Sequence, residues 1–113
     1  MKEIPDARPF TTVIRENPPQ AENLFPSIVD QVGLLLQRRC HHVDFHPGNI
    51  LVGPEGKVVL IDFDKAAQRD ETAQALAARY LARWERAVTK HGLPAWVSDR
   101  FQTLLLDKVR GLK

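Results

Sequence analysis

Two short polar motifs, separated by an apolar stretch, constrain this chain more than any other feature. The first motif is His42-Val43-Asp44-Phe45-His46-Pro47-Gly48-Asn49, and the second is Asp62-Phe63-Asp64. Between them, β-rich runs at 50–52 and 57–61 flank Gly53-Pro54-Glu55-Gly56, a composition typical of a hairpin turn. Because a hairpin returns the chain to its starting point, we expect both motifs to lie on the same side of one cleft.

The residue types and spacing of these motifs favour phosphoryl transfer. Asp44, Asn49 and Asp62 follow the protein-kinase pattern H-x-D-x-x-x-x-N, then D-F-x after a hydrophobic strand. Asp44 is predicted to be the catalytic base that accepts the proton of the attacking hydroxyl. Asn49 and Asp62 are predicted to bind Mg²⁺ and, through it, ATP, because Mg²⁺ prefers oxygen ligands. His42 is predicted to be a structural imidazole that holds the catalytic loop by hydrogen bonds.

Two other interpretations of the same residues remain open. Asp44 and Asn49 could simply cap turns, as these residue types often do. A zinc site of the kind found in metal-dependent hydrolases could instead use Cys40, His41, His42, Asp44 and His46. Against zinc, the motif residues alternate along the chain and the next His or Cys is His91, so a closed four-ligand site would be cramped. Metal content decides this alternative.

Length and composition exclude several classes of protein. With 113 residues the chain is one domain at most, too short for a complete two-lobed kinase. It lacks both a secretory apolar region and an apolar run of the roughly 20 residues that a membrane span needs. A net charge of +2 does not indicate a nucleic-acid partner. The single cysteine, Cys40, is compatible with a reducing compartment, so we expect a cytoplasmic protein.

The periodicity predicts an α+β fold that is mainly helical, with one small β-hairpin carrying both motifs. Five prolines make residues 1–26 an irregular segment with a brief helix near Phe10–Arg15. Residues 27–66 hold a helix from Ser27, with Arg38 and Arg39 in its last turn, then the catalytic loop and the hairpin. Residues 67–113 form a helix at about 71–90 and a final helix N-capped by Ser98. The whole range 1–113 is one domain.

A stripe of basic residues is predicted on the helix at about 71–90. Residues at offsets of four, three and four share one helix face, and here they are Arg79, Arg83, Arg86 and Lys90. The stripe is either a solvated helix face or a docking surface for an anionic substrate or a membrane.

The loop also resembles those of particular kinase families. His46-Pro47-Gly48 departs from the protein-kinase loop and resembles the HxDxHPGN loop of aminoglycoside and choline-type small-molecule kinases. The chain as a whole resembles the C-terminal lobe of the lipopolysaccharide kinase family, most closely its 3-deoxy-D-manno-octulosonic acid (Kdo) kinases. Residues 1–10, 42–51 and 60–65 carry the likeness, and Asp64-Lys65 after Phe63 is its most specific element. Residues 80–86 are similar to an Arg- and Trp-bearing helix of that family.

This resemblance implies a protein-kinase-like C-lobe that uses ATP and Mg²⁺ to phosphorylate Kdo on a lipid A precursor in lipopolysaccharide biosynthesis. The implied location is the cytoplasmic face of the inner membrane, with peripheral contact. A Gly-rich phosphate loop and a strand lysine are not found before the motifs, so the N-lobe is expected on a longer form of this chain or on another chain. The isolated chain is then expected to bind nucleotide very weakly and to have little activity. An aminoglycoside- or choline-type kinase and a degenerate kinase-like binding module remain alternatives.

Overall fold

The computed structural model describes residues 7–61 and 66–111, which form four α-helices packed beside two small antiparallel sheets. The helices are α1 (Phe10–Glu16), α2 (Pro18–Gln37), α3 (Ala73–Lys90) and α4 (Ala95–Arg110). The strands are β1 (Arg8–Pro9), β2 (Cys40–His41), β3 (Ile50–Val52), β4 (Val58–Leu60) and β5 (Ala67–Gln68). The predicted α+β class, mainly helical, is therefore confirmed.

Helix α2 begins earlier than the sequence indicated. Pro18 and Pro19 occupy its first turn, where a backbone N–H has no helical acceptor and proline is therefore tolerated. Asn17 caps this turn by accepting a 3.3 Å hydrogen bond from the N–H of Gln20. Pro26 lies inside the helix. The prediction of an irregular segment up to residue 26 was thus wrong for 18–26, although the brief helix near Phe10–Arg15 is confirmed by α1.

The end of α2 also differs from the prediction. The helix ends at Gln37, so Arg38 is its C-cap residue rather than part of the last turn. Arg39 follows with φ of 53°, the left-handed conformation that commonly ends helices. The N–H of Arg39 donates to the Leu36 carbonyl at 3.1 Å. The chain is thereby redirected into β2, which leads to the first polar motif.

The predicted hairpin is confirmed. β3 and β4 pair antiparallel with Ile50 opposite Leu60 and Val52 opposite Val58. A 3₁₀ turn at Pro54–Gly56 closes the hairpin, with Gly56 at φ of 76°. β1 extends this sheet beside β3, and β2 pairs with β5 in the second sheet. The sequence did not predict these additional strands, because two residues are too few to show an alternating pattern.

The two C-terminal helices pack on α2 and on each other. α3 is capped by Thr72, which accepts a 3.1 Å hydrogen bond from the N–H of Ala75, and it ends before Gly92 at φ of 64°. α4 begins at Ala95, directly after Pro94, so the prediction of Ser98 as N-cap was wrong. Proline suits this position because its fixed φ is compatible with the entry to a helix. None of the described helices combines the length and apolar content that crossing a membrane requires.

An aromatic cluster lies where the helices meet the loop between β2 and β3. The rings of Trp84 and Phe101 stack with centroids 4.1 Å apart, joining α3 to α4. Phe25 of α2 meets Trp84 at 6.0 Å, and Phe10 of α1 meets Phe25 at 5.3 Å. All four side chains are buried. The core therefore ends against the loop that carries the first motif.

Candidate active site

The loop of residues 42–49 is anchored by an aromatic side chain that the sequence analysis did not single out. Phe45 is fully buried, and its ring stacks on Trp84 with centroids 5.5 Å apart. It also meets Tyr80 edge-on at 5.5 Å. Its two neighbours, Asp44 and His46, are only half-buried. The sequence signal was an aromatic residue at the centre of an otherwise polar motif.

The structure brings Asp44 and Asn49 together. Nδ2 of Asn49 donates a 2.8 Å hydrogen bond to the backbone carbonyl of Asp44. Among residues 7–61 and 66–111, the Asp44 carboxylate makes no hydrogen bond or ion pair, and Oδ1 of Asn49 accepts no hydrogen bond. Within the described part of the chain, the loop therefore leaves the Asp44 carboxylate and the Asn49 amide oxygen without a hydrogen-bond donor.

His46 shapes the second half of the loop. Its Nδ1 accepts a 3.0 Å hydrogen bond from the N–H of Gly48, and its Nε2 lies 3.3 Å from Nδ2 of Asn49. Gly48 does not have a left-handed φ. A Cβ at this position would lie 2.8 Å from Cε1 of His46, so any larger residue would have to displace the ring that bonds to the N–H of residue 48.

His42 connects the loop to the end of the hairpin. Its side chain is 1% exposed, and Nε2 donates a 2.7 Å hydrogen bond to the carbonyl of Ile61. The N–H of Ile61 donates to the carbonyl of Asn49 at 3.0 Å. Ile61 immediately precedes Asp62 in the sequence, and the predicted metal ligand Asp62 lies outside the described residues, as do residues 63–65. The position of His42 suits the predicted structural role, which stays a prediction.

The four residues of the basic stripe on α3 differ in their contacts and in their burial. Nε of Arg79 lies 2.9 Å from both carboxylate oxygens of Glu71, so its charge is already paired. Arg83 is half-buried and close enough to His46 to affect the ionisation of its ring. Arg86 and Lys90 are exposed and border a shallow depression on the outer side of α3. Of the four residues, Arg83 is therefore the one associated with the loop that carries Asp44.

The zinc hypothesis finds no ligand cluster in the described part of the chain. No three His, Cys, Asp or Glu side chains there come together in a way that could hold a metal ion. The ring of His41 instead meets the edge of Tyr80, with centroids 5.5 Å apart. The neighbouring histidine, His42, bonds to the Ile61 carbonyl. The two adjacent histidines thus make different contacts, a ring contact for His41 and a hydrogen bond for His42.

Two histidines near the loop favour their neutral form. Burial lowers the pKa of His46 below 6.5, and the positive charges of Arg83 and His91 lower it further, while Asp44 acts in the opposite direction. Burial also lowers the pKa of His41, with added repulsion from Arg69 and Arg79. In the unfolded chain both rings would take up protons near pH 6.5. The folded state therefore binds fewer protons than the unfolded state just below this pH.

We expect acid to destabilise the fold through these histidines. Their stabilising contribution is fully present above pH 6.5 and is lost as the pH falls through their lowered folded-state pKa values. His46→Asn keeps an acceptor for the N–H of Gly48 and cannot titrate, so it should reduce the loss of stability. The measurement is the free energy of unfolding in urea at pH 7.5 and 5.5. An identical pH dependence in the variant would contradict a contribution from His46.

Comparisons with known proteins find one family and two similar proteins that match much of this sequence. The model of the ABC1 atypical kinase-like domain matches residues 17–91, a range that includes the loop, the hairpin and α3. A Kdo kinase of Vibrio cholerae serotype O1 is 29% identical over 102 residues, which is 88% of this chain and 43% of that protein. A Kdo kinase of Vibrio parahaemolyticus serotype O3:K6 is 30% identical over 67 residues, 59% of this chain and 28% of that protein. The chain thus spans less than half the length of these relatives, and the predicted resemblance to Kdo kinases is confirmed.

Proposed function

Because the chain belongs to the family of ABC1 atypical kinase-like domains, we propose that it carries the catalytic base and metal ligands of an ATP-dependent sugar kinase. The observation that carries the proposal is the hydrogen bond from the Asn49 side chain to the backbone carbonyl of Asp44, which joins two of the predicted site residues within one loop. Kdo on a lipid A precursor is the proposed acceptor, because the similar Vibrio proteins are Kdo kinases.

In this proposal each loop residue has a distinct task. The Asp44 carboxylate orients the acceptor hydroxyl and accepts its proton. Asn49 uses Nδ2 to hold the loop, which leaves Oδ1 directed away from that bond and able to bind a hard cation. His42 and Phe45 fix the loop from inside the protein. The division explains why the polar motif also contains residues that face the core.

The amide oxygen of Asn49 is a hard donor of the kind that Mg²⁺ prefers, and the carboxylate of Asp62 has the same chemistry. Asn49 and Asp62 would hold the ion, which when bound neutralises phosphate charge. We further propose that the remaining ATP contacts come from an N-lobe on a longer form of this chain or on another chain. The greater length of the Vibrio relatives supports this arrangement. The isolated chain would then bind nucleotide very weakly.

The test of the acceptor is a transfer assay on the native protein that contains this chain. It is given ATP with a labelled γ-phosphate, Mg²⁺ and a Kdo-bearing lipid A precursor, and parallel reactions contain an aminoglycoside or choline. We expect label on the Kdo precursor. Label on the aminoglycoside or on choline alone would assign an aminoglycoside- or choline-type kinase. No transfer to any acceptor, with the fold intact, would favour the binding-module alternative.

The basic stripe gives a prediction about glycolipid binding at the cytoplasmic face of the inner membrane. Arg83→Gln and Arg86→Gln should weaken binding to an acidic glycolipid, by about tenfold together, because each removes a charge-assisted contact. Arg79→Gln is the matched control, since Glu71 already pairs with Arg79. The measurement is flotation with vesicles that contain the Kdo-bearing precursor, compared with neutral vesicles. Unchanged affinity in the double variant would remove the stripe from the proposal.

A further inference from the structure

A single buried hydroxyl connects α3 to the start of the catalytic loop. Tyr80 is fully buried, and its Oη donates a 2.8 Å hydrogen bond to the carbonyl of Cys40. The same oxygen accepts a 2.9 Å hydrogen bond from the N–H of His42. Tyr80 therefore joins the two backbone groups on either side of His41, at the point where β2 leads into the loop.

The protonation state of Tyr80 supports this double role. Burial raises the pKa of its hydroxyl to about 12, although the hydrogen bond with the backbone of His42 acts in the opposite direction. The hydroxyl is therefore protonated at neutral pH, and it can donate and accept at the same time. A phenylalanine would fill the same space but would leave both backbone groups without this partner.

The contact continues beyond the loop. The backbone of His42 is held by Tyr80, and its ring donates to the carbonyl of Ile61. The N–H of Ile61 in turn bonds to the carbonyl of Asn49. Tyr80 is thus linked through His42 to the residue before Asp62, and through Ile61 to Asn49. These hydrogen bonds give Tyr80 a role beyond filling space in the core.

We propose that Tyr80 is a positioning residue for phosphoryl transfer, whose hydroxyl fixes His42 so that the loop bearing Asp44 and Asn49 is aligned with the end of β4. The role rests on the proposed kinase function. It assigns to the hydroxyl a larger effect on the rate of transfer than on nucleotide affinity. Small displacements of a catalytic group can cost about 10²-fold in rate, so two hydrogen bonds beside the loop are enough for a measurable effect.

The principal variant is Tyr80→Phe in the native protein that contains this chain. We expect kcat to fall by about 10-fold to 100-fold, with the KM for ATP changed less than about twofold. The control is Leu105→Val, which trims a buried side chain one turn beyond Phe101 in α4. It should lower stability and leave kcat unchanged. Equal losses of kcat in Tyr80→Phe and in the control would show a purely structural role and overturn the proposal.

A double-mutant cycle tests whether Tyr80 acts through His42. His42→Phe keeps an aromatic ring but cannot donate to Ile61, so it should also lower kcat. If both residues belong to one hydrogen-bonded unit, the double variant should be little slower than the slower single variant. Multiplicative losses would overturn the proposed connection. The stability of each variant is measured as well, so that a loss of kcat caused by poor folding is recognised.

An activity-independent measurement separates this proposal from the proposed function. Amide hydrogen exchange at His42 should be at least about tenfold faster in Tyr80→Phe, because the amide loses its acceptor. Unchanged exchange at His42 would overturn the positioning role whatever the activity. If the wild-type protein transfers no phosphate but exchange at His42 accelerates in the variant, the kinase function fails while the fixing of the loop by Tyr80 stands.

Discussion

Replacement of Phe45 by alanine is expected to lower the free energy of unfolding by about 3–5 kcal/mol, the cost of removing a buried aromatic side chain. Phe45 is fully buried between rings from two helices, with Trp84 stacked on it and Phe101 at 5.9 Å. The loss would be a large fraction of the roughly 5–15 kcal/mol that stabilises a typical domain. It would also remove the ring contact that holds Asp44 and His46, the two neighbours of Phe45, in place.

The measurement is urea unfolding of the wild type and the variant, followed by tryptophan fluorescence because Trp84 reports directly on this cluster. Val43→Ala is the control from the same loop, because Val43 is only half-buried and should cost much less. A loss for Phe45→Ala no larger than that of the control would mean that the ring cluster does not anchor the loop. The midpoint and the slope of each transition should be compared, because a shift in the midpoint reports a change in stability only when the slope is unchanged.

The elements with a clear period were predictable from the sequence. α3 shows a repeating apolar face, and the hairpin has β-rich runs on both sides of a turn. The start of α2 is not predicted by the proline content of residues 1–26, because the effect of proline depends on its position in a helix. Pro18 and Pro19 lie in the first turn, where proline is compatible with a helix, and Pro26 is tolerated inside a helix that packs on the core.

The candidate site was predictable only in part. The spacing of Asp44 and Asn49 indicated one loop, and the structure brings the two residues into contact. Tyr80 and Phe45 were missed, because their partners are far away in the sequence: Tyr80 bonds to residues 38 and 40 positions before it. Periodicity places a tyrosine on the buried face of a helix but does not say what its hydroxyl meets. The contribution of Asp62 stays a prediction, since it lies outside the described residues.

Asp44→Asn is expected to reduce phosphoryl transfer by about 10²–10⁴-fold, the usual contribution of general acid–base catalysis. Asparagine has nearly the same shape as aspartate, but its amide cannot accept the proton of the attacking hydroxyl. The side chain of Asp44 makes no hydrogen bond or ion pair within 7–61 and 66–111, so the substitution should not disturb the fold. The bond from Asn49 is preserved, because it goes to the backbone of residue 44.

The measurement is kcat for the native protein and its Asp44→Asn variant, with the melting temperature of each. Asp107→Asn is the matched control, since Asp107 is an exposed carboxylate on α4. A base that acts on the hydroxyl affects kcat and leaves the KM for ATP nearly unchanged, whereas a residue that only binds the nucleotide complex raises KM. Full activity in Asp44→Asn would exclude Asp44 as the base. A raised KM with normal kcat would make Asp44 a binding residue, and the proton acceptor would then have to be sought elsewhere in the native protein.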